Sequence, residues 1–224
     1  MMEAGGWLPH LDARLAAIAA EVPTSKLAAD IGADHGKLSC WLLKTGRVQH
    51  MIVSDISKIS RDKARDLFIE HEVLDRVTLS GEDGLHALHG QPDTIIIAGM
   101  GGGLVSRILR QEVDLHPSRL VLSAHTELEE VRDALMTRTY SIEKEQLVKA
   151  AGRYYRVITA VPGEQVLSEA QRVLGVNVTG TATANLLDYY RWQLEIANTW
   201  RSERGTVYQA CLKEAISELE ANHG

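Results

Sequence analysis

Cysteine is scarce, with only Cys40 and Cys211 in 224 residues, and two distant thiols build neither a disulfide framework nor a metal site. Histidine is more plentiful. Yet His35, His71, His86, His89, His116 and His125 include no His-x-x-x-His pair backed by an acid, so the usual zinc spacings are missing and no metal is expected. No apolar run approaches the roughly 18 residues of a membrane span. Nor does a basic, then apolar, leader open the chain, so a cytoplasmic protein is expected. Positive charge is short as well. The formal net charge of -6 argues against coating nucleic acid by bulk electrostatics, while leaving room for a local basic patch.

A hydrophobic content of 45% is ample for a buried core, and the length of 224 residues suits one α/β domain of about 150 residues plus an appendage. The stretch that organises the rest is Asp30-Ile31-Gly32-Ala33-Asp34-His35-Gly36. Leu27 to Ile31 is short, apolar and ended by a breaker, as a buried strand is; Leu38 to Leu43 then begins a helical apolar pattern. Strand, glycine turn and helix frame a nucleotide-binding unit, in which small residues let a ligand approach the backbone and the helix start offers free N–H groups. The pattern is Asp-x-Gly-x-Asp-x-Gly, with an acid ahead of the first glycine. It is therefore not the Gly-x-Gly-x-x-Gly dinucleotide fingerprint.

Further elements follow in order. Leu8, Leu11, Leu15, Ile18, Ala19 and Val22 recur at helical spacing, so a helix over 8–22 leads into the first strand, with Arg14 beside its apolar stripe. Met51 to Ser54 predicts a second strand ending in Asp55, placed as a ribose-binding acid is. Ser57 to Glu72 predicts a helix carrying Lys58, Arg61, Lys63 and Arg65, a basic run that either faces a polyanion or is simply solvated. Val77 to Leu79 is a third strand, closed by the acidic turn Ser80-Gly81-Glu82-Asp83-Gly84. Thr94 to Ile97, the most β-branched run, should be central; it enters Ala98-Gly99-Met100-Gly101-Gly102-Gly103 and a helix from Leu104 to Gln111. Those glycines offer backbone donors and open space, or a tight turn needing positive φ.

Arg119 to Ser123, Ser141 to Val148 and Tyr154 to Val161 complete seven strands, the last two forming a hairpin, with a helix over Glu127 to Met136. After Pro162-Gly163 strand signals vanish. Leu186, Tyr190, Gln193, Ala197 and Trp200 keep heptad spacing, Ser202 to Gly205 breaks it, and Tyr208, Leu212, Ala215 and Leu219 resume it. That pattern predicts a helical hairpin, either packing against the first domain or clamping a substrate with Arg191, Arg201 and Arg204. The expected division is residues 1–163 and 164–224.

An acid at the first strand end with spaced glycines resembles motif I of class I S-adenosylmethionine methyltransferases, whose cofactor carries an ammonium and a sulfonium that a carboxylate suits. Over nearly its full length the chain resembles the bacterial tRNA (adenine-N1)-methyltransferases of the TrmK type. Arg14-Leu15, Asp30 to His35, Gly84-Leu85, Ala98-Gly99-Met100-Gly101-Gly102, the Glu145 to Tyr155 hairpin and the helical tail carry that resemblance. It departs at Ser123-Ala124-His125-Thr126, where the family tends to have Gln-Pro-Asn, and at Ser57-Lys58-Ile59, where a Gly-Pro pair is usual.

The resemblance implies an α/β fold with a Rossmann-like seven-stranded sheet and a methyl transfer to N1 of adenine 22 in tRNA. It implies an S-adenosyl-L-methionine site built from Asp30, Gly32, His35, Asp55, Ile56, Glu82, Asp83, Gly84, Ala98 and Gly99. Asp83 would meet the adenine amino group, and the fourth strand tip would face the transferred methyl. Exocyclic-amine methylases carry an Asn or Asp, prolines and an aromatic at that tip; this chain has none of them. Asp34 and Met100 are the catalytic candidates, Asp34 as a carboxylate stabilising the cationic product; capping the following helix is its other reading. Arg14, Lys58, Arg61, Gly101, Gly102, His125 and Arg201 are the substrate candidates. The expected partner is tRNA, with no membrane and no metal, and the protein a monomer or weak homodimer. Two other readings share these strand tips: a methyltransferase for a protein or small molecule, and a non-catalytic nucleotide-binding module.

Overall fold

The computed structural model describes residues 7–221. Asp12 accepts the Leu15 N–H at 2.8 Å and so starts α1 (Ala13–Glu21) later than the apolar spacing alone predicts. The chain then alternates: β1 (Ser25–Ile31), α2 (Lys37–Lys44), β2 (Val48–Ser54), α3 (Lys58–Glu70), β3 (Val77–Ser80), β4 (Thr94–Ala98), α4 (Gly102–Leu109), β5 (Arg119–Ala124) and α5 (Leu128–Thr137). The hairpin β6 (Tyr140–Ala150) and β7 (Arg153–Pro162) follows, then α6 (Glu169–Leu174), β8 (Val178–Thr179), α7 (Thr183–Ala197) and α8 (Glu203–Ala221).

One sheet runs in the order β3-β2-β1-β4-β5-β7-β6-β8. β1 pairs in parallel with both β2 and β4, so the strand order reverses direction between β1 and β4. The crevice above such a reversal is where open α/β sheets bind ligands. β7 alone runs antiparallel to its neighbours β5 and β6. Each sheet face is covered. Ile18 of α1, Leu42 of α2 and Phe68 of α3 pack on one side with Ala28, Val53 and Ile96; Val105, Ile108 and Leu135 of α4 and α5 pack on the other with Ile31, Ile97 and Leu122. Two covered faces explain why Ile95, Ile96 and Ile97 are all buried instead of alternating.

The seven expected strands are present, and an eighth joins them. Val178–Thr179 lies parallel to Glu145–Gln146; a two-residue strand is too short to show a period of two. The tail also holds α6, which a capping box at Ser168 and Gln171 starts. The gap between the tail helices falls at 198–202, not at 202–205, because α7 runs to Ala197 and Ser202 Oγ accepts the Gly205 N–H at 3.1 Å, drawing Glu203 to Gly205 into α8. Trp200 therefore sits in the connection, exposed, and leaves the seam to Tyr190, Ala197, Leu212 and Ala215.

An ionic cluster fastens this tail to the sheet. Glu145 of β6, fully buried, accepts two hydrogen bonds of 2.8 Å from Arg132 of α5, while Arg156 of β7 lies 3.6 Å away. The Val176 N–H donates to the same carboxylate at 3.1 Å, Arg132 donates to the Arg172 carbonyl, and Arg156 donates to the Leu174 carbonyl at 3.0 Å. Burial acts to raise the Glu145 pKa, but the Arg132 charge and its hydrogen bonds, with Arg156, hold it below the usual carboxylate range. Removing one member of such a cluster strands its partners' charge out of water. Glu145→Leu should therefore lower the unfolding free energy by about 3–5 kcal/mol, measured by urea denaturation at neutral pH.

Candidate functional site

The carboxyl ends of β1, β2, β3 and β4 lie side by side, and each is followed by glycine or acid. After β1 the chain turns through Gly32 (φ 70°), Asp34 (φ 52°) and Gly36 (φ 69°). Gly32 and Ala33 donate to the Ser54 carbonyl at 2.8 and 3.0 Å, which ties this turn to β2. Gly36 admits no side chain, since a Cβ there would meet Phe68 Cζ at 2.7 Å. Gly32 has Met100 above it: a Cβ at Gly32 would lie 2.4 Å from the Met100 methyl. Met100 thus lays its thioether across the β1–β4 crevice.

Asp30 is only 3% exposed. Ser39 Oγ donates to it at 2.6 Å. Burial pushes its pKa up to about 6, with the Asp55 charge adding to the effect and the Ser39 bond and Arg14 opposing it. Asp55, at the β2 tip, is held by the backbone: Ser57 N–H reaches Oδ1 at 2.8 Å and Asp34 N–H reaches Oδ2 at 3.0 Å. Each oxygen keeps capacity for another donor, as a pair of vicinal hydroxyls would need. Ile56 beside it is 73% exposed. At the β3 tip, Glu82 meets His89 at 3.2 Å, and Gly84 takes φ 59°. Gln111 accepts the Leu85 N–H at 2.6 Å and donates to the Asp83 carbonyl at 3.4 Å, fixing that acidic turn.

The substrate and catalytic candidates divide. Arg14 does not merely face solvent: its guanidinium lies 5.3 Å from the Tyr155 ring centroid and would be 3.3 Å from a Cβ at Gly99, the exposed β4 tip. His125, next to the β5 end, meets Tyr155 edge-on at 5.9 Å. Arg14, Gly99 and His125 are thus brought together, with Tyr155 as an unforeseen fourth member. Arg61, in contrast, turns back on its own loop, donating to the Asp55 carbonyl at 2.6 Å and packing on Gly81. Lys58 pairs with Asp62 at 2.6 Å on the exposed side of α3. Gly101 caps α4, and Gly102 serves packing more than open space, because a Cβ there would be 2.2 Å from the Thr126 carbonyl. The Asp34 carboxylate is 71% exposed and meets Ser60 Oγ at 3.3 Å and His35 at 3.4 Å, contacts on the α3 side of the crevice. In the tail, Arg191 and Arg204 bind Glu220 and Glu129, and Arg201 is exposed far along the chain from these tips.

Among the described residues no group of three His, Cys, Asp or Glu side chains could hold a metal ion, and no helix is long and apolar enough to cross a membrane.

Residues 11–158 match the family described as "Methyltransferase domain". The chain belongs to that family. The chain is 28% identical over 158 residues to the Bacillus subtilis "tRNA (adenine(22)-N(1))-methyltransferase", covering 69% of this chain and 66% of that one. It is 31% identical over 170 residues to a Mycoplasma pneumoniae protein named "Putative tRNA methyltransferase", covering 74% and 79%. Its fold matches that of a Streptococcus pneumoniae "putative tRNA (m1A22) methyltransferase, in complex with S-adenosyl-L-methionine", with TM-score 0.80, 22% identity, and coverage of 92% of this chain and all of that one.

For a methyltransferase domain, the raised pKa of Asp30 fits a site built for a cation. Between the ordinary value of 3.8 and about 6 the folded protein binds a proton that the unfolded chain has released, so stability contributed at this residue is lost as pH rises through that window. Asp30→Asn should match or exceed the wild type in unligated stability at neutral pH. Its advantage should grow by about 2 kcal/mol from pH 4 to pH 6 and level off above about pH 7, read from urea melts between about pH 4 and pH 8.

Proposed function

We propose that this protein transfers a methyl group from S-adenosyl-L-methionine to N1 of adenine 22 in tRNA. The observation that carries the reading is the crevice itself. A buried carboxylate at the β1 end has one hydroxyl as its donor, and beside it lie the left-handed Gly32, with the Met100 methyl above it, and a second acid oriented by two backbone N–H groups. That donor set fits a nucleoside bearing positive charge and would repel a pyrophosphate. Similarity to the B. subtilis tRNA (adenine(22)-N(1))-methyltransferase supports the substrate. The likeness to a fold solved with S-adenosyl-L-methionine supports the cofactor.

Asp30 and Gly32 would hold the methionine end of the cofactor, Asp55 the ribose, and Asp83 with Ile56 the adenine; His35, Glu82, Gly84 and Ala98 complete the walls. S-adenosyl-L-methionine supplies an electrophilic methyl on a sulfonium. Adenine N1 keeps a lone pair at neutral pH, so no base has to prepare it, and the chain's task is alignment and exclusion of water. Gly99 leaves room for the target at the β4 tip, Met100 covers the crevice with an apolar group, and Arg14 and His125 border the acceptor side. The target base must leave its stack to reach strand tips. Residues 1–163 carry the transfer; residues 164–224 brace the β6–β7 hairpin from behind. The protein works in the cytoplasm, as a monomer or a weak homodimer.

Incubation with S-adenosyl-L-methionine and unmodified bulk tRNA, followed by nuclease digestion and mass spectrometry, should yield 1-methyladenosine. Transfer to protein or to small molecules alone would reject the reading. Asp34 belongs to the turn through its backbone N–H, so Asp34→Asn keeps the bond to Asp55 and should retain turnover within about tenfold. A loss of about a thousandfold with unchanged cofactor affinity would instead give the carboxylate a part in stabilising the methylated base.

A further inference from the structure

From Gln146 to Gly163 the sequence contains no carboxylate, although the net charge of the chain is -6. These residues build most of the β6–β7 hairpin, which stands to one side of the crevice, separated from β4 by β5. β5 ends at Ala124, opposite Arg156. The β6–β7 ladder continues past that point, pairing Val148 with Tyr155, Lys149 with Tyr154 and Ala150 with Arg153. Three further residues at the strand rise make an overhang of about 10 Å. Because β7 runs antiparallel to β5, the overhang projects from the carboxyl edge of the parallel strands, the edge that carries Asp30, Asp55 and Gly99.

The overhang has two faces, since successive side chains of a strand point to opposite sides. Tyr154 turns to the tail, 5.4 Å from the Tyr189 ring. Tyr155 turns to the crevice, with Arg14 over its face and His125 at its edge. At the hairpin end Arg153 is exposed on the Tyr155 face, and Lys149 is exposed on the opposite face, 5.1 Å from the Tyr154 ring. An aromatic face next to the β4 tip, exposed cations further out and no carboxylate between them is how proteins take single-stranded nucleic acid: rings stack bases, and cations follow the phosphates. The tail hairpin offers the reverse. Residues 183–221 hold four arginines and lysines against six carboxylates, and two of those arginines are engaged by Glu220 and Glu129.

We infer that the overhanging hairpin receives the RNA: Tyr155 is the stacking face for the unpaired acceptor base, and the hairpin end holds phosphates through Arg153 on the same face and Lys149 on the other. The inference rests on the RNA-methylation reading above. Arg14, itself a flat group, covers the ring face that the base would take and moves aside as the base enters. Tyr155 is a positioning residue in this scheme, and Lys149 and Arg153 are electrostatic contacts.

The test is steady-state methylation of unmodified tRNA at several salt concentrations, with cofactor affinity measured by titration calorimetry, for wild type, Tyr155→Ala, Tyr155→Phe and the double variant Lys149→Glu/Arg153→Glu. Tyr155→Ala should lower kcat/KM for tRNA roughly tenfold to a hundredfold, and Tyr155→Phe should stay within about twofold of wild type. The double variant should raise KM for tRNA and flatten the log–log salt dependence by roughly one to two. All variants should bind S-adenosyl-L-methionine as wild type does. A double variant with wild-type KM and salt slope, or Tyr155→Ala as active as wild type, overturns the inference alone. A wild-type protein that leaves tRNA unmethylated overturns both the inference and the reading beneath it.

Discussion

A carboxylate withdrawn from water at the end of the central strand sets the terms for everything at this edge of the sheet. Asp30 sits where the strand order reverses, with Ser39 as its hydroxyl donor and a second carboxylate, Asp55, close enough to raise its pKa further. A charge so placed weakens the unligated fold and would strengthen the hold on a cationic ligand, which would supply the partner that the fold lacks. The surrounding backbone follows from that requirement. Gly32 and Gly99 adopt positive φ and add no side chain of their own to the crevice that Met100 crosses, and the acids at the β2 and β3 ends are oriented by N–H groups and Gln111 instead of by cations that would neutralise them.

What the sequence made legible was the part governed by short-range rules. An apolar run halted by an acid and a glycine marks a strand end wherever it occurs. The β1, β2, β3 and β4 tips, and with them Asp30, Asp55, Asp83 and Gly99, could therefore be placed from residue order alone. Other features depended on which side chains meet across the fold. Arg61 sits in a basic helical run that has the look of a polyanion contact, yet its guanidinium is used within 6 residues of chain, on the Asp55 carbonyl. The glycine run after β4 suggests open space, whereas Gly102 is demanded by the approach of the Thr126 carbonyl. Tyr155 carries no signal at all in sequence; only the pairing of Ala124 with Arg156 brings it opposite His125 and under Arg14.

The tail shows a similar division of labour. Its heptad spacing correctly indicates two packed helices, but Arg191 and Arg204 are paired with Glu220 and Glu129, and the aromatic residues Tyr189 and Tyr190 face the sheet, where Arg156 lies 5.1 Å from the Tyr189 ring. The Arg132, Glu145 and Arg156 cluster fixes the segment around 172–176 against β6 and β7. A buried ionic cluster of this kind adds less to net stability than an apolar replacement would, and its value lies in allowing one arrangement only. Here that arrangement supports, from behind, the same two strands whose ends overhang the crevice.

β7 therefore serves two masters along one backbone. Tyr154 and Arg156 belong to the tail side and Tyr155 and Val157 to the crevice side, a parity set at the hairpin turn and kept to the edge of the sheet. Drift in this strand is thereby constrained in an arithmetic way. Gaining or losing a single residue between Arg153 and Val157 would exchange the two allegiances at once, burying the crevice tyrosine under the tail and turning an arginine away from it. Only changes of even length, or a bulge that absorbs the odd residue, leave both surfaces intact.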